Sequence, residues 1–391
     1  MHKCWLIAIM CLLLAGCWDR KEVNDVAFVS GSGIDKAGDL YKVTVQIPLP
    51  SQMGGAGSKG GGGGTSGSKS WFNDIVTGKT VRESNVIQQK SLSRQLNFSH
   101  RRIVVFGEEL ARGGLGHLMD IFVRVPQNRL SSLIAIAKGE ASELLNANSP
   151  IEQFPSELMR ELVQNLTEHP TTLKRLNQKL LTEGVDPLVP ALTLIKSGSD
   201  VEGKSNMMIK SSGLAVFERS KLKGFINEPL SSYLLIAMGE ARNPEVTVKS
   251  TRGNGSISVL LKDLNVELIP LMTEEQITIR MKIHAKGTLV DNESNFHATS
   301  HALELEAQIK ELLVTNISKA VALLQNTYHS DPLGFGDLIH RHNMKAWRSL
   351  REDWRRTHYP KVKLEVVPSI SIKHSGTVNK PFGIPDEELT S

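Results

Sequence analysis

Cysteine is scarce in this chain of 391 residues. There are three, at positions 4, 11 and 17, and none after residue 17. A disulfide framework and a cysteine-based metal site are therefore excluded from everything downstream. Long apolar runs are also missing. Cys4 to Ala15 (CWLIAIMCLLLA) carries no charge, but about a dozen residues fall short of the ~20 that a helix needs to cross a bilayer core. Nor is there a block of like charge. The 46 basic and 41 acidic residues are interspersed, which leaves a net charge of +5, argues against nucleic acid as a partner and suits a place beside anionic lipid. With 40% hydrophobic and 22% charged residues, the composition is that of a globular protein of two or three domains.

Catalytic signatures are equally thin. Thr77-Gly78-Lys79-Thr80 invites comparison with a phosphate-binding loop, but such a loop needs a glycine five positions before Gly78, and Asn73 stands there. Gly31-Ser32-Gly33 lacks the third glycine of a dinucleotide fingerprint, with Lys36 in its place, and reads as a strand end. His297, His301 and Glu304 would share a face of a helix that began early. With no fourth ligand in sight they read as a solvated helix start and not as a zinc site. No G-x-S-x-G elbow occurs. No cofactor is expected, and the reading is of a protein that is not an enzyme.

What is present begins with the first 22 residues. A basic start, a short apolar region and small residues before a cut form a secretory signal peptide, residues 1–16. Leu14-Ala15-Gly16-Cys17 resembles the bacterial lipobox, in which cleavage between Gly16 and Cys17 leaves a diacylated cysteine as the first residue. Two acyl chains anchor stably where one is marginal. The expectation is a chain tethered to the outside of a membrane through Cys17.

Along the remaining chain, apolar alternation at 40–49, the apolar runs 101–107 and 130–138, and helical patterns at 80–96, 108–124, 141–147 and 155–183 predict a mixed α/β region over 17–200. Two subdomains are expected in it, about 20–137 and 138–200. Thr80 and Glu83 form a capping box at the start of the first helix. Residues 51–70 (SQMGGAGSKGGGGGTSGSKS) predict a disordered loop inside a domain. After a polar boundary at 198–205, residues 206–380 alternate over long stretches (209–226, 245–251, 256–268, 276–290). A helix follows from about 302 to 328, with Leu305, Ile309, Leu312, Ile317, Ala320 and Leu324 on one face, then a helix at 345–357, a strand at 361–373 and a tail at 381–391. The predicted class is α+β: a multi-domain mixed α/β chain whose C-terminal domain is an antiparallel sheet packed by long helices.

Two stretches stand out as candidate surfaces. In LNFSHRRIVVFGEELARGGL (96–115), the Ser99-His100-Arg101 turn precedes a buried strand; hydrogen bonds from Ser99 and His100 could fix it, and contact with a partner is the alternative. In 331–367, Trp347, Leu350 and Trp354 share a helical face that reads as core, while Arg348 and Arg355 lie on others and are expected at the surface. There a change such as Arg355→Glu should leave melting nearly unaltered. Docking to other proteins is assigned to Ser99, His100, Arg101, Arg348 and Arg355, since arginine's planar donor fork suits interfaces.

The stretches GCWDRKEVNDVAFVSGSGID (16–35), LNFSHRRIVVFGEELARGGLG, GLAVFERSKLKGF (213–225) and GFGDLIHR…AWRSLREDW occur in the order found in the Ger(x)C family. The chain resembles these lipoprotein C subunits of spore germinant receptors over most of its length; only the glycine-rich insertion departs. The resemblance implies a three-part mixed fold and a non-enzymatic subunit on the outer face of the spore inner membrane. It also implies work with membrane A and B subunits in sensing nutrients, and it transfers Cys17 alone as a site. The rival from another class is a lipid-tethered solute-binding protein. Its usual two α/β lobes fit poorly with an antiparallel C-terminal half.

Overall fold

The structure, a computed structural model, describes residues 22–49, 69–196, 207–250, 254–294 and 301–374. The signal peptide, Gly16, Cys17, nearly all of the glycine-rich stretch, His297 and the tail lie outside the described residues.

The first half is built on an eight-stranded sheet. In chain order it holds β1 (Val26–Phe28), β2 (Gly31–Ala37), β3 (Leu40–Pro48), β4 (Trp71–Gly78), α1 (Val81–Ser91), β5 (Gln95–Asn97), β6 (Ile103–Phe106), α2 (Glu108–Gly113), α3 (Gly116–Arg124), β7 (Leu133–Ala137), α4 (Ala141–Asn146), α5 (Pro155–Leu166), α6 (Leu173–Leu181) and β8 (Leu188–Lys196). Next come β9 (Met207–Glu218) and β10 (Lys221–Ile226), and the strand order is β10-β9-β8-β7-β6-β2-β3-β4. The four central strands β2, β6, β7 and β8 run parallel, and antiparallel hairpins flank them on each side. β1 pairs with β5 in a separate two-stranded sheet.

The period of two in a strand explains why β6 and β7 are apolar throughout. Val104, Phe106, Ile134 and Ile136 face a core shared with α2, α3 and α6, whereas Ile103, Val105, Ala135 and Ala137 face α4 and α5. Half of the capping box forms: Thr80 Oγ1 accepts from the Glu83 amide at 3.0 Å, while the Glu83 side chain accepts from the Lys79 amide at 2.6 Å, one residue before the cap.

Several expectations are corrected. The single helix read over 108–124 is two, because Gly114 takes φ +116 and its amide closes on the Leu110 carbonyl. β8 is a strand where Pro187 and Pro190 suggested only a stop. The register shifts between Pro190 and Leu192, a bulge that accommodates a residue with no amide donor. The hairpin β9–β10, which follows the polar stretch 198–205, adds two strands to the edge of the first sheet.

The second half adds α7 (Leu230–Ala237), β11 (Glu245–Lys249), β12 (Ser256–Met272), β13 (Ile277–Asn292), α8 (Ala302–Leu323), a π turn at Leu324–Tyr328, α9 (Phe335–His342), α10 (Met344–Leu350), a second π turn at Trp354–His358 and β14 (Lys363–His374). Its sheet, β11-β12-β13-β14, is mixed and not purely antiparallel. The helical crossover returns the chain to the start of β13, so Lys363 pairs with Thr278 and the two strands run parallel. The 22 residues of α8 reach about 33 Å at 1.5 Å per residue, enough to cross the sheet. Its buried stripe runs Leu305, Ile309, Leu313, Ile317, Ala320, Leu324, with Leu313 in the place assigned to Leu312. Leu188, Leu214, Val216 and Ile226 from the first sheet belong to this same core, which joins the halves by apolar contact.

Candidate functional site

Loop 182–187, between α6 and β8, meets loop 329–334, which leads into α9. The closeness is set by glycine. A Cβ on Gly184 (φ +75) would stand 2.5 Å from the Asp337 nitrogen and from the Gly336 carbonyl carbon, and the Asp337 amide donates to the Gly184 carbonyl at 3.1 Å. Beneath this contact lie two fully buried carboxylates. Asp331 accepts from the amides of Gly334 (2.9 Å), Phe335 (3.0 Å) and Gly336 (2.8 Å) and from the Trp354 indole (3.0 Å). Asp186 accepts from the amides of Asp331 (2.9 Å) and Arg219 (2.7 Å). Arg355 then closes on it: Nε donates at 2.9 and 3.1 Å to the two oxygens, and Nη2 donates at 2.9 Å.

Burial pushes the Asp331 carboxyl up to about 7, against the pull of the Gly336 and Phe335 amides and the Trp354 indole, with the Asp186 charge adding to the rise. For Arg355, burial opposes the charge, but the hydrogen bonds and negative charge of Asp186 prevail and hold the guanidinium above its usual value. Around the pair, Trp354 packs on Tyr359 and Trp347 with ring centroids 5.9 and 5.5 Å apart, and Phe335 meets Tyr359 at 6.0 Å. A groove of about 600 Å³ opens above, lined in part by Leu181, Glu183, Arg219, Trp347, Arg351 and Arg355. Trp347 Nε1 donates to Glu183 at 2.9 Å across the two halves.

These groups are saturated by one another. Each carboxylate oxygen is engaged by backbone, indole or guanidinium, which leaves no free lone pair poised on a substrate. Among the described residues no three His, Cys, Asp or Glu side chains converge as metal ligands would. What the arrangement does physically is fix two loops, one from each half, in a single relative position.

The residues assigned to docking fall into two groups. Ser99 and His100 are exposed; Asn97 Oδ1 accepts from the Ser99 amide at 2.9 Å, and His100 sets its ring edge-on to Phe28 at 4.9 Å. Arg348 is also exposed and donates to the Met344 sulfur at 3.7 Å. Arg101 and Arg355 are not surface residues, which corrects that part of the assignment. Arg101 is 4% exposed, lies 5.5 and 5.0 Å from the Phe98 and Phe122 ring centroids, and donates to Asn128 at 2.9 Å; burial lowers its pKa to about 9. Arg355 has a side chain 15% exposed and is bound to a carboxylate that is 0% exposed. The expected neutrality of Arg355→Glu does not survive this geometry. Trp347 and Trp354 are core, as their spacing indicated. Sequence reasoning missed Asp186, Asp331 and Gly184. The usable signals were Asp186 beside Pro187 and Asp331 three residues ahead of the Gly-Phe-Gly run.

Comparison with known proteins shows what the chain as a whole is similar to. Residues 19–194 match the family described as "Spore germination protein N-terminal domain", and residues 212–376 match "Spore germination B3/ GerAC like, C-terminal". The chain is 37% identical to "Putative spore germination protein YfkR" of Bacillus subtilis (strain 168) over 97% of this chain and 98% of that protein. "Spore germination protein KC" of the same organism is 24% identical over 98% of each. The crystal structure of the GerBC protein superposes with a TM-score of 0.57 at 18% identity, covering 90% of this chain and 99% of that one, which establishes likeness of fold.

Proposed function

The chain belongs to the GerAC-like family of spore germination proteins, and we propose that it is the lipid-anchored, non-enzymatic subunit of a spore germinant receptor. In this reading it is diacylated at Cys17, sits on the outer face of the spore inner membrane, and acts with membrane A and B subunits in nutrient-triggered germination. The observation that carries the reading is the span of the likeness, since relatives named for spore germination align with nearly the whole chain and not with one module. The Leu14-Ala15-Gly16-Cys17 stretch supports the anchor, and no helix among the described residues is long and apolar enough to cross a membrane. Work by contact is supported by the saturated junction around Asp186 and Asp331, whose polar groups are spent on holding the halves together. Docking is assigned to the exposed Ser99, His100 and Arg348.

Two experiments test this. Cys17→Ala, expressed without other subunits, should leave the detergent phase and enter the aqueous phase on partitioning; a variant that still fractionates with lipid would remove the anchor. A deletion strain should lose germination toward at least one member of a nutrient panel while its spores form normally. Wild-type germination on every nutrient would remove the receptor role.

A further inference from the structure

A second cavity, of about 350 Å³, lies far in sequence from the junction and is assigned no role by anything above. One wall is a single face of α1: Arg82, Asn85, Val86 and Gln89 recur at helical spacing, with Lys90 beside them. The other wall is Gln95, Leu96, Phe98 and Gln127. A helix of the first half thus presents two working faces. Val81, Ser84 and Gln88 are buried, and the 82-85-86-89 stripe, which would ordinarily be plain solvated surface, lines a concavity.

The chemistry of that lining is one-sided. It holds two cations and four side-chain amides and no carboxylate. Neither Arg82 nor Lys90 is ion-paired among the described residues, and the one acid of the adjoining turn, Glu83, is spent on the Lys79 amide at 2.6 Å. Gln89 is pinned at both ends, donating to the Arg94 carbonyl at 3.0 Å and accepting from the Leu96 amide at 2.8 Å, so the wall is stiff. The Asn85 Oδ1 is shielded from solvent with no partner. Such an atom invites a donor, because a buried acceptor left unmade is costly. Behind Phe98 stands the buried Arg101, with no carboxylate within 4 Å among the described residues and its Nε unpartnered. The lining thus carries two cations and no carboxylate, with the buried Arg101 behind Phe98, while the Glu83 carboxylate of the adjoining turn keeps its charge outside the lining.

We propose that this cavity binds a small carboxylate that also carries hydroxyl groups, such as a sugar acid or hydroxy acid. Arg82 takes the carboxylate; Lys90, about 12 Å farther along α1, the amides of Gln95 and Gln127 and the Asn85 oxygen take the hydroxyl groups, and Phe98 and Val86 cover the carbon skeleton. Arginine's donor fork matches a carboxylate in bidentate fashion. The volume falls in the range of small-molecule sites and is short for a polypeptide segment. The lining also discriminates: its two cations and lack of a carboxylate repel an ammonium, which would find only amide oxygens such as that of Asn85, so amines are disfavoured against carboxylates. The inference stands apart from the anchor and receptor reading and fails or survives independently of it.

The test is calorimetric titration of the full chain, purified in detergent, with sodium gluconate, sodium succinate, glucose, 1,2-diaminoethane and inorganic phosphate. Gluconate should bind, succinate should bind more weakly, and the diamine should give no heat. Arg82→Gln should weaken gluconate roughly tenfold, the scale of one charge-assisted hydrogen bond. Asn85→Asp, which places a negative charge in the cavity, should abolish binding, with melting of both variants checked against wild type. Absence of carboxylate binding at tens of millimolar would overturn the proposal, and so would affinity unchanged in both variants. Phosphate or glucose binding as tightly as gluconate would equally overturn it.

Discussion

Arg355→Ala offers the sharpest check on how the two halves are held. In the native chain Asp186 is 0% exposed and its charge is met by three hydrogen-bond distances of 3.1 Å or less from one guanidinium. Removing that guanidinium leaves a buried carboxylate hydrogen-bonded to the amides of Asp331 and Arg219, with the Asp331 carboxyl close by and the Lys179 charge within electrostatic reach. Breaking a buried pair from one side typically costs about 3–5 kcal/mol. In a unit of 150–250 residues, 1 kcal/mol moves the melting point by about 2–4 °C, so a fall of roughly 6–20 °C is expected. Arg355→Lys keeps the charge but not the fork and should fall between. Asp186→Asn combined with Arg355→Ala should be less damaging than the two single losses added together, because the stranded charge is gone. Scanning calorimetry of wild type and the four variants (Arg355→Ala, Arg355→Lys, Asp186→Asn and the double) at one pH decides it. If Arg355→Ala melts within about 1 °C of wild type, or if the two single losses simply add, the buried pair does not hold the junction and the argument fails.

Gly184→Ala should destabilise by several degrees without touching any charge, since its Cβ would meet backbone atoms of Gly336 and Asp337 at 2.5 Å and its φ of +75 disfavours a side chain; melting at wild-type temperature would mean the two loops can separate at little cost. The raised Asp331 carboxyl gives a pH dependence with a definite sign. With a folded-state value of about 7 against an unfolded value near 3.8, the native state holds a proton that the unfolded state has released. This contribution is therefore fully present below about 4 and is lost as pH rises toward 7, at up to ~1.4 kcal/mol per unit. Wild type should accordingly gain on Asp331→Asn as pH is lowered from 8 to 5, and a difference in melting that stays constant over that range would refute it.

The elements that were legible in the sequence are those whose pattern is enforced locally. β6 and β7 read as buried strands because both faces of a central parallel strand need apolar residues, and Ile103–Phe106 and Leu133–Ala137 supply them without a break. The start of α1 was legible because Thr80 satisfies the Glu83 amide three residues on and the Glu83 side chain reaches back to the Lys79 amide. β8 was hidden by Pro187 and Pro190, whose usual meaning is overridden by a bulge that only the neighbouring strand creates. The direction of β14 was likewise invisible. Alternation is the same in parallel and antiparallel strands, and the 70 residues of crossover that set the direction act through packing.

The candidate site follows the same division. The tryptophan spacing at 347 and 354 gave core correctly, because an apolar stripe on a helix has one common use. Arg355 lies one residue beyond that stripe, and composition alone assigns such a residue to solvent. Its burial depends on Asp186, 169 positions earlier, which carries no local mark of its own. Neither charge would be buried alone, since each would face a desolvation cost that only the other offsets. The pair is therefore legible only in the assembled structure, where β9 and β10 complete the first sheet and α9 is seated against Gly184. The apolar continuity of Leu188, Leu214, Val216 and Ile226 with α8 and the second sheet brings the loops into range without demanding an exact angle. The directional bonds to Asp186 and Asp331 then select one angle among those that burial tolerates. Apolar contact supplies the association of the two halves, and the buried ions supply its orientation.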